Sequence, residues 1–530
     1  MTSGPPVALL GHALRLQRRQ ATAWSLGIAL VALSGVAGYR SAYPTQAARD
    51  QIARNLEGNP AFNALYGEPH QLQTVTGFAA WRVGGVFVII AAVWGLLAAT
   101  RLLRGEEEAG RTELVASGAV TSKQRVGGEL ASLGFVYLVA WSVVAGALIA
   151  SGVPGRGAGL VALVIVAGAV AFASLGAATA ELCTTRRAAA GVSGAVLGAS
   201  AMLRIVADGT SLHGLRWVTP LGWAEEIRPT EGGRPLPVLL LVAWTVAWVV
   251  VALYGRRRRD LGAGLLRSDA RPRTTLALLG SPEGFALRSA TGITLAWAGG
   301  LAAMAAMLGS LARDVSRFTA GSPDTARVFE RLGIDGVLPV AFMALAFTTL
   351  LAPIAFYGAS LVSAARQEEE AGRLELSLAQ AVGRRRWLAG RVLVAAGLVT
   401  AVCVVAGAGA WLGTRLHPVD ISLGDMVKAG ANCVPPVLVF VAVAALVFAF
   451  APRLTAPIAY GSVLMAYAIE LVGGLLQWPE WALGLSPFHH VAPVPLRPVD
   501  VTSAVALVAV AAVMTVVAVL RFGRRDLAAA

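Results

Sequence analysis

Two short stretches of the chain carry acids and a base at matched spacing. One reads Glu106-Glu107-Glu108-Ala109-Gly110-Arg111-Thr112-Glu113-Leu114, the other Glu368-Glu369-Glu370-Ala371-Gly372-Arg373-Leu374-Glu375-Leu376, and eight of the nine positions agree. Their chemistry is ion pairing. On a helix, Glu107 with Arg111 and Glu369 with Arg373 are i,i+4 pairs with the acid N-terminal, the favourable order. Three successive acids wrap most of a helical turn, so they cannot all pair within the segment. Some must face water or a partner. A solvated helix end would satisfy that as well. Near-identity in two places, while the apolar sequence around them has drifted, points instead to a docking surface.

Other reactive groups form no constellation. His12, His70, His213, His417, His489 and His490 are scattered, and no metal triad or nucleophile-base pair can be built from them. Cys183, Cys403 and Cys433 lie in or beside apolar runs without a CxxC, against a disulfide framework or a zinc site. The only lysines, Lys123 and Lys428, are followed by Gln and Ala, so neither completes a phosphate-cradling GxxxxGK[ST] loop. Glu225, Glu226, Glu231, Asp420 and Asp425 show no spacing that suggests paired catalytic carboxylates.

The elements that position the two acidic stretches are membrane spans. The chain has 530 residues, 56% of them hydrophobic and 14% charged, more apolar surface than a soluble fold of this size can bury. Apolar runs long enough to cross a bilayer fall near 21–39, 80–103, 127–150, 158–181, 188–207, 236–255, 291–312, 336–365, 388–413, 427–451, 455–476 and 500–521. The first, behind Arg15, Arg18 and Arg19, is read as an uncleaved span, because a similar segment recurs in mid-chain. With the N-terminus cytoplasmic, the whole formal excess of +14 falls on that face, as the positive-inside rule requires. The densest cluster, Arg256-Arg257-Arg258-Arg259 with Arg267, Arg271, Arg273 and Arg288, is suited to anionic lipid headgroups, and nucleic-acid binding is the weaker reading.

Repeats divide the chain into a first half (1–255), a basic linker (256–282) and a second half (283–530). Besides the acidic stretches, Ala13-Leu14-Arg15 matches Ala286-Leu287-Arg288, Arg187 matches Arg453, and Gly255 with Arg258-Arg259-Asp260-Leu261 resembles Gly523-Arg524-Arg525-Asp526-Leu527. Two six-span halves that each start and end inside give parallel repeats. The expected fold is therefore an all-α integral membrane protein of twelve helices in two pseudo-symmetric halves. The outer stretches Trp217–Trp223 and Leu485–His490 are mildly apolar and proline-broken, and read as re-entrant or interfacial pieces.

This order (basic pre-helix, span, outer loop, span, EEEAGRxEL, span) resembles the type-2 permeases of ATP-binding-cassette (ABC) exporters, above all the fused twelve-span permeases of the polyketide-antibiotic and multidrug kind. The resemblance covers essentially the whole chain. It implies the type V exporter fold, surface pre-helices at 8–19 and 283–290, and outward transport of hydrophobic or amphipathic compounds. By resemblance, Glu106, Glu107, Glu108, Gly110, Arg111 and Glu113, and in the second half Glu368, Glu369, Glu370, Gly372, Arg373 and Glu375, form coupling helices seated in a groove of a separate ATPase, itself a homodimer. ATP and Mg would be bound by that partner, with no cofactor in this chain. The implied pathway runs along the second, fifth, eighth and eleventh spans, which carry Trp94, Met202, Phe356, Tyr357, Met465 and Tyr467; lipid contact or ordinary packing is the alternative for each.

Ionisable residues within spans are costly and mark function. Aligning the halves on Arg187 and Arg453 sets Arg204 opposite Glu470, and aligning on the acidic stretches sets Glu129 opposite Arg391, the sign swapped in both. In the resembled fold the fifth and eleventh spans face each other, so an Arg204–Glu470 gate pair near the outer end is expected; separate snorkelling of the two side chains is the alternative. Two rival functions are a proton-coupled twelve-span efflux transporter and a membrane-embedded transferase acting on lipid-linked substrates.

Overall fold

The computed structural model describes residues 5–56, 63, 66–112, 121–209, 212–258, 264–265, 278–320, 338–370, 372–379, 382–416, 420–475 and 479–526. The regular elements among the described residues are all helices, with no strand. The chain divides into two compact units, Met1–Arg273 and Thr274–Ala530, a division that falls within the basic stretch 256–282.

The first unit holds six long helices: α1 (Pro5–Ala42), α2 (Val75–Glu108), α3 (Ser122–Ala150), α4 (Gly155–Leu182), α5 (Arg186–Gly209) and α6 (Pro235–Arg258). The second holds α7 (Pro282–Ala320), α8 (Leu338–Glu370), α9 (Arg384–Leu416), α10 (Leu423–Phe450, with a turn at Asn432 and Cys433), α11 (Thr455–Leu475) and α12 (Val501–Phe522). Among the described residues, 11 helices are long and apolar enough to cross a membrane. The expected span at 455–476 is present as the 21-residue helix α11 but is not one of the eleven; the side chains of 468 and 471–478 lie outside the described residues.

The surface pre-helices expected at 8–19 and 283–290 are not separate elements. They are the opening turns of α1 and α7, which run unbroken for 38 and 39 residues. No proline interrupts either after its first turn, so nothing stops helix propagation. At 1.5 Å per residue each extends to about 57 Å, well beyond a hydrocarbon core of about 30 Å.

Within each unit one helix is central. In the first, α4 touches α2, α3, α5 and α6; in the second, α10 touches α8, α9, α11 and α12. The outer pairs α1·α3 and α7·α9 also correspond. The close approach of α2 to α4 depends on small residues, as is usual where helices pack in lipid. A Cβ on Gly95 would lie 2.1 Å from the Ala169 carbonyl oxygen, and one on Gly168 would lie 2.5 Å from that of Val88. By contrast α6 and α12 are largely uncovered within their units, with rows of exposed Val and Leu such as Val242, Val246, Val250, Val505, Val513 and Val516.

Helix α2 departs from α geometry twice, in wide π-helical turns at Ala79–Gly84 and Arg101–Gly105. The second immediately precedes the first acidic stretch. Helix α8 reaches the second stretch as an α-helix, with Pro353 in its interior. Helix α3 starts behind a capping box, in which the Thr121 hydroxyl accepts from the Gln124 N–H at 3.2 Å and the Gln124 side chain accepts from the Thr121 N–H at 3.0 Å.

Candidate functional site

The two acidic stretches end their helices in the same way. Gly110 has φ +70° and Gly372 φ +67°, left-handed values that glycine adopts without steric cost. Their N–H groups donate to the carbonyls of Glu107 and Glu369, both at 3.0 Å. The preceding helix ends there, so the repeated glycine is a helix stop. This corrects the expected i,i+4 pairs. Beyond the stop the helical spacing no longer holds, and Arg111 donates twice to Glu106, at 2.7 and 2.8 Å. Those bonds raise the Arg111 guanidinium above its ordinary value. Glu369 likewise pairs with Arg366 and Arg525, not Arg373. Glu113 lies outside the described residues.

The three acids of each stretch have three different environments, repeated between the units. The first, Glu106 or Glu368, is largely covered and held by a guanidinium in a two-bond clasp. Arg111 supplies it in the first unit, and Arg391 in the second, at 2.7 and 2.6 Å. The middle acid is the most buried: the Glu107 side chain is 4% exposed and that of Glu369 3%. Glu107 is flanked by Arg104 at 3.2 Å and Arg256 at 3.4 Å. Glu369 is flanked by Arg366 at 3.6 Å and by Arg525 in direct contact. The third acid faces out. One Glu108 oxygen accepts from the Arg186 N–H at 2.5 Å, a favourable place for a carboxylate at the start of α5. Glu370 pairs with Arg366 at 2.9 Å. Also exposed are Arg111 in the first stretch and Arg373, Glu375 and Leu376 in the second.

Sequence reasoning missed the arginines. Arg256 belongs to the cluster read as lipid-facing and Arg525 to the stretch matched to it only as a repeat, yet both are buried. The signal was present: both stretches end the last helix of a unit and were matched as repeats. Their partners lie some 150 residues away in sequence, beyond any local pattern.

A second charged assembly closes the opposite end of the first unit. The short Pro220–Glu225 helix is capped by Thr219, whose hydroxyl accepts from the Gly222 N–H at 3.2 Å. It returns Glu225 and Glu226 to the end of α5. Arg204 pairs with Glu225 at 3.0 Å and Asp208 at 3.3 Å and donates to the Gly85 carbonyl at 2.7 Å. Arg216 pairs with Asp208 and Glu68, both at 2.6 Å. Arg228 and Arg234 clasp Glu226 and Glu231. Beside this network is a cavity of about 40 Å³, lined by Tyr66, His70, Trp81, Arg204, Glu225 and Arg228 among others, with room for about one water. In the loop, the Glu68 carboxyl sits below its ordinary value: burial raises it, but the Arg216 hydrogen bond and charge prevail. His70 is also lowered, by burial and then by Arg228.

Of the expected gate pair, Arg204 is thus engaged within its own unit. Glu470, on α11, has the His489 ring 3.7 Å away. Their pairing would join the two units and stays an expectation for charge-reversal experiments. Among the expected pathway residues, Trp94 and Tyr357 are core. Trp94 stacks on Trp24 with centroids 6.0 Å apart and meets Tyr137 edge-on at 5.1 Å; the Tyr357 hydroxyl bonds to that of Thr294 at 2.8 Å. Phe356 and Tyr467 are half-buried, while Met202 and Met465 are exposed on their units. The three cysteines are free and buried.

The chain matches the family described as multidrug efflux system permease Rv1217c, C-terminal domain, over residues 6–257 and 279–523. It is 31% identical over 523 residues to the multidrug efflux system permease protein Rv1217c of Mycobacterium tuberculosis, an alignment that covers 98% of this chain and 95% of that protein. With the match running through both units and nearly the full length of each chain, this multi-pass membrane protein belongs to the Rv1217c family of multidrug efflux system permeases.

Proposed function

We propose that the chain is the permease subunit of an ABC exporter that moves hydrophobic or amphipathic compounds outward, driven by a separate ATPase. On this reading it spans the inner membrane twelve times, α11 included, with both termini cytoplasmic. The matching helix neighbours in the two units, and a family match that takes one stretch in each, support a duplicated six-helix design. The cargo class follows from the relative's name and from the exposed Met202 and Met465, whose flexible thioethers suit varied apolar contacts.

One observation carries the reading. Both units end their second long helix in the same acidic turn, stopped by a left-handed glycine, with charged side chains left exposed beyond it. Glu108 and Arg111 in one unit, and Glu370, Arg373 and Glu375 in the other, form the docking faces for a homodimeric ATPase that binds ATP and Mg. Glu106 and Glu368 hold these faces in shape.

The test is co-purification of the ATPase with Glu108→Lys and Glu370→Lys combined with Arg373→Glu. At least a tenfold loss of bound ATPase is expected, with the permease still inserted. Export that persists without nucleotide hydrolysis and collapses with the proton gradient would end this reading.

A further inference from the structure

The middle acid of each stretch is withdrawn from the docking face, and in both units it is used the same way. Glu107 lies between Arg104, one helical turn back on α2, and Arg256 at the end of α6. Glu369 lies between Arg366, one turn back on α8, and Arg525 just beyond α12. All of these side chains are buried or largely so. The arginines reach further helices as well. Arg104 donates to the Thr184 carbonyl at the α4–α5 corner. Arg525 donates to the Phe448 carbonyl at 2.5 Å, and its guanidinium lies over the rings of Phe448 and Phe522, 5.1 and 5.4 Å from their centroids. Each middle acid therefore joins the end of the second long helix of its unit to the end of the last and to the central helix or its corner.

The two arginines do not occupy strictly aligned positions. Glu107 and Glu369 are 262 apart, as the repeat requires, whereas Arg256 and Arg525 are 269 apart. The same tie is thus made with arginines from different places on equivalent helix ends. A buried carboxylate with two guanidiniums is a stiff joint, because displacing either arginine leaves a charge unpaired in a poorly solvated place.

We propose that Glu107 and Glu369 are positioning residues that fasten each acidic turn to the last helix of its unit, so that a push on the docking face reaches α6 and α12. Without the joint, the turn bends at its glycine and the push is lost. This rests on the docking function proposed above, and it separates binding of the motor from transmission of its stroke.

The experiment uses the full chain with its ATPase in membranes. Glu369→Gln, Arg525→Gln and their double, with Glu107→Gln and Arg256→Gln in parallel, are assayed for bound ATPase, ATP hydrolysis and export. Bound ATPase and basal hydrolysis stay within twofold of the parent. Export per ATP falls at least tenfold, and each double mutant is no worse than its singles. Should the Gln variants fail to accumulate, Glu369→Asp and Arg525→Lys carry the test by the same export-to-hydrolysis ratio, keeping the charges and losing only part of the coupling. Unchanged export per ATP would overturn the proposal, as would loss of bound ATPase, which would return these acids to docking. Failure of the docking reading is distinct: there the exposed-residue variants keep their ATPase.

Discussion

The first and second acidic stretches are nearly the same sequence, yet they are attached differently to the third long helix of their units. In the second unit, Arg391 on α9 clasps Glu368 directly with two hydrogen bonds. In the first, the matching position holds Glu129, which takes Arg125 from its own helix at 2.8 Å and leaves Glu106 to Arg111. Between them lies a cavity of about 40 Å³ lined by His12, Glu106, Arg111, Thr112, Arg125 and Glu129 among others. One change of sign thus bolts one stretch to its neighbour and leaves the other resting on it. The lesson is that a repeated motif does not guarantee a repeated mechanical connection; that depends on what the drifting sequence around it supplies.

The largest expected effect comes from breaking the bolt. Arg391→Gln leaves Glu368 buried without its clasp and should destabilise the second unit by about 3–5 kcal/mol. Arg111→Gln, whose side chain is 58% exposed, should cost the first unit under about 1 kcal/mol. Unit-resolved hydrogen exchange during denaturant titration measures both, and equal losses would erase the distinction.

A graft sharpens the comparison. Glu129→Arg with Arg125→Trp gives the first unit the residues that the second has at Arg391 and Trp387. Glu106 should then be clasped from α3, and tryptic cleavage at Arg111 should slow several-fold. An unchanged cleavage rate would show that the backbone, not the charge, separates the two arrangements.

The smallest effect is at the end away from the acidic stretches, where the first unit carries its arginine-carboxylate network and the second has Glu470 and Glu480 beside His489. Both Glu68 and His70 are depressed in the fold. For each, the folded state binds fewer protons than the unfolded chain, so its contribution is present above the ordinary value and lost as pH falls. Protection of residues 66–74 should weaken first below pH about 6.5 through His70, and again below about 4.5 through Glu68. Exchange rates in that loop that are flat from pH 8 to 4 would contradict the assignment.

Much of the fold was legible because lipid makes helix the only economical answer for a long apolar run, and the described residues of these runs are almost wholly helical. Continuity was not legible: α1 and α7 absorbed their basic leaders because the polar stretch before each span has no helix breaker. At the candidate site, the repeat itself and its glycines were visible, but the left-handed turn at Gly110 and Gly372 was not inferred, and the local pairing rule therefore named the wrong partners. Glu225, Glu226 and Glu231 offered no catalytic pattern in sequence; folded, they are the counter-ions of Arg204, Arg216, Arg228 and Arg234. Such matches depend on where a loop returns, which spacing along the chain does not encode.

The wide turn at Arg101–Gly105 has a consequence for aim. Each residue of a helix adds about 100° of rotation, and a π turn accommodates roughly one more residue than an α turn. Whatever follows is therefore indexed around the axis by about that angle, like a key cut one notch along. Shortening Arg101–Gly105 by one residue would swing the glutamates through nearly a third of a revolution and carry Glu107 away from Arg256, leaving every side chain present and the lock unable to engage.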